Sequence, residues 1–162
     1  MKILVVSDTH GRIEGLDRAF ELEQPDEIYH LGDGLGCEDE IEAIYGVPLT
    51  IVRGNCDWNS NLPSEEVISL GKHRLFLTHG HIYGVNYGLL ELVDAAEERK
   101  ADVILYGHTH VPELTKGYYG KTILNPGSIS APRQKGKKHT YAVIEVLEGG
   151  ELDIELRTLD EN

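Results

Sequence analysis

The chain has 162 residues, of which 40% are hydrophobic and 27% are charged. A chain of this length and composition buries enough surface to fold without disulfides. Acidic residues outnumber basic ones by 28 to 15, which gives a net charge of −13. Such a surface repels nucleic-acid phosphates at long range, so a non-specific DNA or RNA binder is disfavoured.

The cysteine spacing and the N-terminus both predict a cytoplasmic protein. Cys37 and Cys56 have no CxxC spacing, which indicates free thiols in a reducing compartment. The first apolar run, Ile3–Val6, is too short for the core of a signal peptide. No stretch approaches the ~20 apolar residues that a membrane span needs, so we expect no contact with a membrane.

The first half of the chain alternates β-branched runs with amphipathic segments. The runs predict three strands, at Lys2–Val6, Glu27–Leu31 and Pro48–Val52. The amphipathic segments predict helices at Gly11–Glu23, which Pro25 closes, and at Glu38–Tyr45. This order is β-α-β-α-β, and a polar segment, Gly54–Pro63, follows it.

The second half is richer in strands. Val67–Leu70 and His73–Thr78 are predicted to pair across the Gly71-Lys72 turn, before a helix at Tyr87–Lys100 and a buried strand at Asp102–Tyr106. The remaining predicted strands are Glu113–Lys116, Lys121–Leu124, Tyr141–Leu147 and Glu151–Leu159, the last two joined at Gly149-Gly150. The whole pattern predicts a single α/β domain, residues 1–162, with two sheets in layers.

Side chains suited to metal binding follow five of the predicted strands. They are Asp8 and His10, Asp33, Asn55, His79 and His81, and His108 and His110. Ligands of α/β sheets bind at the carboxyl ends of strands, so these loops are expected to meet. Imidazole and carboxylate groups bind divalent transition metals, and alternate residues of an extended segment share a side. Each motif alone is common in surface loops, but together they predict one metal site.

The order of these motifs resembles the signature of the calcineurin-like metallophosphoesterase superfamily. The segments that carry the resemblance are Ser7-Asp8-Thr9-His10-Gly11, Gly32-Asp33, Gly54-Asn55-Cys56-Asp57, Thr78-His79-Gly80-His81, Gly107-His108-Thr109-His110 and Asn125-Pro126-Gly127-Ser128. They are most similar to its small, single-domain, YfcE-like phosphodiesterase branch. The resemblance implies a four-layer α/β/β/α sandwich, in which helices flank two mixed β-sheets.

The resemblance also implies a dinuclear centre. Asp8, His10, Asp33 and His110 would hold one ion, and Asp33, Asn55, His79 and His108 the other, with Asp33 bridging the two. The ions would be divalent transition metals, with manganese expected first and nickel, iron, cobalt and zinc left open. A small phosphate ester would be hydrolysed by in-line attack of a metal-bridging hydroxide. The implied catalytic residues are Asp33, Asn55 and His81.

Cys56 departs from the pattern of many larger phosphatases in this superfamily, which have a histidine after the asparagine as the acid for the leaving group. A thiol, with a reference pKa near ~8.5, suits that role poorly, so a phosphodiester is favoured over a phosphomonoester. His81 is the nearest alternative proton donor, and a role in positioning the loop stays open. Trp58 and Asn59 follow Cys56 and are candidates for lining a substrate cleft.

Three other functions are weighed against this interpretation. One is a catalytically weak or inactive scaffold that binds protein partners, as the retromer scaffold subunit does with the same fold. A nuclease is a second, which the acidic surface disfavours. Other metallohydrolases fit less well, because the metallo-β-lactamase pattern fails after His81 and an amidohydrolase barrel needs about 250 residues. A homo-oligomer is compatible with the sequence.

Overall fold

A computed structural model describes residues 1–58 and 60–159 of the chain. Its strands are β1 (Lys2–Val6), β2 (Glu27–His30), β3 (Leu49–Ile51), β4 (Glu65–Leu70), β5 (His73–Thr78), β6 (Val103–Leu105), β7 (Glu113–Tyr118), β8 (Lys121–Asn125), β9 (Thr140–Val146) and β10 (Leu152–Thr158). Its helices are α1 (Glu14–Glu23), α2 (Glu38–Tyr45) and α3 (Leu90–Glu98), with a 3₁₀ turn at His81–Tyr83.

The strands form two mixed, five-stranded sheets. The first has the order β10-β9-β1-β2-β3, and the second has the order β4-β5-β6-β8-β7. In the first sheet β1, β2 and β3 are parallel, and in the second β5, β6 and β8 are parallel. The carboxyl ends of three neighbouring strands therefore lie at one edge of each sheet, and the loops with the metal-binding motifs begin there.

Alternation along β1 shows how the layers pack. Ile3 and Val5 point into the core between the two sheets, whereas Leu4 and Val6 pack against the side that carries α1 and α2. Phe76 and Ile104 of the second sheet pack outward against α3. Helices therefore cover both outer faces, and the α/β/β/α sandwich expected from the sequence is confirmed. No helix among the described residues is long and apolar enough to cross a membrane.

Two predicted helix starts were wrong. The first helix begins at Glu14 and not at Gly11, because the chain first turns at Thr9, whose carbonyl accepts a hydrogen bond from Arg12 N–H at 3.0 Å. The third begins at Leu90 and not at Tyr87, whose N–H instead bonds the Gly84 carbonyl in a separate turn. Both errors lie beside metal-binding motifs, where loop geometry overrides helical periodicity.

Candidate metal centre

The loops that follow β1, β2, β5 and β6 are tied together by backbone hydrogen bonds. Asp8 N–H donates to the Gly32 carbonyl at 3.0 Å, and the N–H of His10 donates to the Asp33 carbonyl at 2.9 Å. In the second sheet Gly107 N–H donates to the His79 carbonyl at 3.0 Å. These bonds hold the motifs from separate strands at fixed distances from one another.

Two glycines allow close approaches between these loops. A Cβ atom on Gly54 would lie 2.1 Å from Asp33 Oδ1, and one on Gly32 would lie 2.7 Å from His79 Nδ1. Any larger residue at either position would push a metal-binding side chain out of place. The glycines of the Gly32-Asp33 and Gly54-Asn55 motifs are therefore required by packing, and Gly32, with a φ of 106°, is required by its backbone conformation as well.

Half of the described non-glycine residues with a left-handed backbone belong to the metal-binding motifs. Their φ angles lie between 49° and 70°, and they are Asp8, His10, Asp33, His108 and His110. This conformation costs an L-residue roughly 1–2 kcal/mol and persists only where its surroundings enforce it. Because this costly conformation occurs at five residues of the metal-binding motifs, the orientation of these five side chains lowers the stability of the fold.

One group of metal-binding atoms comes from the β1 and β6 loops. His110 Nε2 lies 3.1 Å from Asp8 Oδ1, and His10 Nε2 lies 3.6 Å from the same oxygen. The Nε2 atoms of the two histidines are 3.3 Å apart. Ligand atoms at ~2.1 Å from one cation are about 3 Å apart when they subtend a right angle, so these three could hold one ion.

A second group lies against the first. Asp33 Oδ2 is 3.2 Å from His79 Nε2 and 4.0 Å from His10 Nε2. His79 Nε2 is also 3.7 Å from Asp8 Oδ1, so Asp8, Asp33 and His79 form another possible set of ligands. Asp33 is thus close to both groups, as a residue shared between two ions must be.

The two remaining expected ligands, Asn55 and His108, are close to each other. Asn55 Oδ1 is 3.1 Å from His108 Nδ1, and the His108 ring centroid is 5.1 Å from that of His79. Asn55 is exposed and His108 is half-buried, so they form the outer lip of the site. The structure therefore brings all seven predicted ligands to one place.

The hydrogen bonds of His79 and His110 indicate that a cation fits between these groups. Nδ1 of His79 donates to the Leu31 carbonyl at 2.6 Å, and Nδ1 of His110 donates to the Ala131 carbonyl at 2.6 Å. In the neutral rings Nε2 then carries a lone pair that faces a carboxylate. His79 Nε2 and Asp8 Oδ1 are both buried without a hydrogen-bond partner among the described residues. Donation to a backbone carbonyl is the usual support of a metal-binding histidine.

The electrostatics of the centre favour positive charge. Burial alone would raise the pKa of Asp8, but the imidazoles of His10, His110 and His79 close to its carboxylate outweigh burial and lower this pKa. Burial would lower the pKa of His79, but its close contact with the Asp33 carboxylate and the charge of Asp8 raise it. The buried carboxylates thus attract a proton or a metal ion, and the two compete for the same atoms.

His81 and Cys56 occupy the rim of the centre. The His81 ring centroid is 5.5 Å from that of His79, and its Nδ1 is buried without a partner among the described residues. Burial and the positive charge of His79 lower the pKa of His81. Cys56 Sγ lies within 4.8 Å of a ligand atom of Asp33 and of His10. Burial and the Asp33 carboxylate raise the pKa of the Cys56 thiol.

Asp57 holds the Asn55 loop, although the sequence motif assigned it no role. This buried carboxylate accepts hydrogen bonds from three backbone N–H groups, those of Asp33 at 2.8 Å, Leu35 at 2.9 Å and Gly54 at 2.7 Å. It therefore joins the β2 and β3 loops below the metal-binding side chains. Asn59, the other residue expected to line a substrate cleft beside Trp58, lies outside the described residues.

Asn125 and Ser128 support the histidine loops from below. Asn125 Nδ2 donates to the Gly107 carbonyl at 3.2 Å and to Thr109 Oγ1 at 3.0 Å. Ser128 Oγ donates to the Asp8 carbonyl at 2.9 Å and accepts the N–H of Ala131 at 2.7 Å. The Asn125-Pro126-Gly127-Ser128 motif, one of the segments that carry the resemblance, thus positions two loops of the candidate metal centre.

The two-sheet sandwich with clustered histidines and carboxylates at one edge is the architecture of a metal-binding hydrolase. Residues 1–149 match the calcineurin-like phosphoesterase superfamily domain. The chain therefore belongs to the calcineurin-like phosphoesterase superfamily, as its motifs indicated, and is a phosphoesterase.

Three similar proteins support this placement. The phosphodiesterase YfcE of Escherichia coli is 31% identical over 172 aligned residues, which cover 90% of this chain and 88% of YfcE. A predicted phosphoesterase from Streptococcus pneumoniae superposes with a TM-score of 0.81 at 30% identity. The match covers 97% of this chain and 88% of the Streptococcus pneumoniae chain. Vps29 from Entamoeba histolytica, in a complex with zinc, has a TM-score of 0.78 at 23% identity with full coverage of both chains, which shows the shared fold.

Proposed function

We propose that this protein is a dinuclear, metal-dependent phosphodiesterase. The observation that carries the proposal is the pair of imidazoles, His79 and His110, whose Nδ1 atoms face backbone carbonyls while their Nε2 atoms lie 3.2 and 3.1 Å from the carboxylates of Asp33 and Asp8. An imidazole nitrogen and a carboxylate oxygen this close repel each other unless a proton or a metal ion lies between them. A cation at each place is the simplest arrangement that satisfies both pairs.

The ligand distances support a division into two sites. Asp8, His10 and His110 belong to the first ion and Asn55, His79 and His108 to the second, while Asp33 belongs to both. The set of imidazole nitrogen with carboxylate and amide oxygen suits manganese, iron, nickel, cobalt or zinc, with manganese expected first. The free cysteines of the protein, Cys37 and Cys56, suit a reducing compartment, and we therefore place the enzyme in the cytoplasm.

The charges of the site account for an anionic substrate on an acidic protein. When bound, two divalent ions supply Lewis acidity and lower the pKa of water toward ~7, so hydroxide is available at neutral pH. The buried carboxylates, Asp8 and Asp33, offset only part of that positive charge. The centre therefore attracts a phosphate ester, although the whole chain carries a net charge of −13.

Cys56 favours a diester over a monoester. Its raised pKa keeps the thiol protonated, and a thiol is a weak acid for the release of an alkoxide. His81, with its lowered pKa, is mostly neutral at neutral pH and would assist the leaving oxygen through an N–H hydrogen bond. Such weak assistance suits substrates whose leaving group departs without a strong acid.

The direct test compares metal-loaded and chelated protein on two substrates. With manganese, we expect turnover of bis(p-nitrophenyl) phosphate and slower turnover of p-nitrophenyl phosphate. Chelation should abolish both activities, and manganese should restore them. A protein that contains metal but turns over neither diester nor monoester would instead support the scaffold alternative, for which the fold shared with Vps29 is the reason.

Cys56→Ala is expected to retain diester turnover within about threefold of wild type, because the thiol supplies no acid that the reaction needs. Its backbone N–H, which donates to Asp33 Oδ1 at 2.8 Å, is unaffected by the substitution. Steady-state kcat with bis(p-nitrophenyl) phosphate measures the effect, and Cys37→Ala, which removes the other thiol, is the matched control. A loss of a hundredfold or more in Cys56→Ala alone would make the thiol a participant.

His81→Ala is expected to lower kcat for the diester by about ten- to a hundredfold, at the lower end of general acid–base effects. Metal content should stay at the wild-type value, because His81 is placed beside the ligands and not among them. Both quantities are measured on the same preparation, by steady-state kinetics and elemental analysis. Loss of one equivalent of metal would reassign His81 as a ligand, and unchanged kcat would remove it from the reaction.

A further inference from the structure

A small cavity opens on the Asn55 side of the metal centre. Its volume is about 320 Å³, at the lower end of the range for small-ligand sites, roughly 300–1,000 Å³. Cys56 is one of its lining residues and lies within 4.8 Å of a ligand atom of Asp33. A group that occupies this cavity would therefore lie next to a phosphate held at the metal centre.

The cavity presents apolar side chains to solvent from two different loops. Trp58, from the β3 loop, is 84% exposed, and Leu35, from the β2 loop, is 46% exposed. Leu62 also lines the cavity. Scattered single apolar residues on a surface need no explanation, but an indole and two leucines that line one cavity beside the candidate metal centre form a local apolar surface.

Hydrogen bonds to Asp57 hold the two loops that line the cavity. Asp57 accepts the N–H of Leu35 at 2.9 Å while it also binds the backbone of Asp33 and Gly54. Leu35 has a φ of 57°, a left-handed conformation that is costly for a non-glycine residue. The buried carboxylate thus enforces a strained backbone that leaves a leucine exposed, and Trp58 follows Asp57 directly in the chain.

The charges of the residues that line the cavity determine which kind of chemical group can bind in it. The acidic residues Glu38 and Asp57 are among its lining residues, and no lysine or arginine among the described residues lines it. A second phosphate would be repelled there, whereas a flat, uncharged ring could stack on the indole. We infer that this cavity binds a neutral aromatic group of the phosphodiester substrate, such as a nucleobase, stacked on Trp58. The inference rests on the proposed function in that the substrate is taken to be a phosphodiester. Binding of an aromatic ring in the cavity does not depend on that function.

Trp58 is the only tryptophan of the chain, so its fluorescence reports on the cavity directly. The manganese-loaded protein is titrated with adenosine, which has the ring but no phosphate, and with ribose 5-phosphate, which has the phosphate but no ring. Adenosine should change the indole emission in a saturable manner, and ribose 5-phosphate should not. An emission that adenosine leaves unchanged would overturn the inference.

Inhibition kinetics test the same contact. Adenosine should inhibit diester hydrolysis, and Trp58→Ala should raise its inhibition constant by about tenfold, in the range expected for stacking of a base on an aromatic side chain. Trp58→Phe should keep the constant within about threefold of wild type. Tyr119→Ala, which removes another exposed aromatic ring from the turn between β7 and β8, should leave the constant unchanged.

The two proposals fail in different ways. Saturable binding of adenosine to a protein that hydrolyses no diester would keep the aromatic site and remove the phosphodiesterase. Active hydrolysis with an inhibition constant for adenosine that is the same in wild type and Trp58→Ala would keep the enzyme and remove the site.

Discussion

Replacement of Asp33 by alanine is expected to lower kcat/KM for a phosphodiester by about a thousandfold or more, because Asp33 is the proposed ligand of both ions. Its Oδ2 lies 3.2 Å from His79 Nε2 and 4.0 Å from His10 Nε2, so its removal opens both groups of ligands at once. Metal content should fall from two equivalents toward none. Kinetics and elemental analysis on the same purified sample measure both effects.

Thermal stability gives an independent reading of the Asp33 variant. Ions that bind only the folded protein raise its melting temperature, so wild type should gain stability when manganese is added and Asp33→Ala should not. Without metal, loss of Asp33 also removes its repulsion from Asp8, which limits the damage to the fold. Asp94→Ala, an exposed carboxylate on α3, should behave as wild type. Wild-type turnover or a full metal complement in Asp33→Ala would refute the bridging role.

The sequence predicted that the candidate ligands would lie together because their residue types follow the ends of strands. Asp8 and His10 follow a clear buried strand, and parallel strands bring their carboxyl ends to one edge whatever the loops between them do. The layers were equally accessible, because alternation such as that of Ile3 and Leu4 sets which face of a sheet meets a helix. The location of the candidate ligands and the order of the layers depend only on residue type and on the period of the apolar residues.

The sequence could not predict features that depend on backbone conformation. Nothing in the residue type of His108 or His110 indicates φ angles of 70° and 60°. The same loop geometry moved the start of the first helix from Gly11 to Glu14 and produced the 3₁₀ turn at His81. Contacts between loops were also hidden, since Asp57 acts on residues more than 20 positions away in the chain.

Asp57 shows that the centre depends on residues that bind no metal. It lies only two positions after Asn55, yet its oxygens are fully engaged by the backbone of Asp33, Leu35 and Gly54. Asp57 is thus a carboxylate beside the candidate ligands that binds backbone groups of their loops and holds these loops in place. Its effect on stability and its effect on activity can be separated, because the first does not need metal.

Asp57→Ala is expected to lower the free energy of unfolding by about 3 kcal/mol or more, because three backbone N–H groups lose their acceptor and each such loss costs roughly 1–3 kcal/mol when buried. Chemical denaturation of the chelated protein measures this without any contribution from bound metal. For a chain of this size the melting temperature should fall by about 6 °C or more. Diester turnover should fall too, since Asp33 and Asn55 lose their common support.

Asp57→Asn separates the shape of this side chain from its hydrogen bonds. Oδ2 accepts from both Asp33 and Gly54, so an amide oxygen in that position keeps two bonds, while its NH₂ group faces the N–H of Leu35 and cannot accept. We expect this variant to lose about half as much stability as Asp57→Ala. Equal losses in the two variants would mean that packing and not hydrogen bonding is responsible. A loss below about 0.5 kcal/mol in both would show that the β2 and β3 loops hold the centre without Asp57.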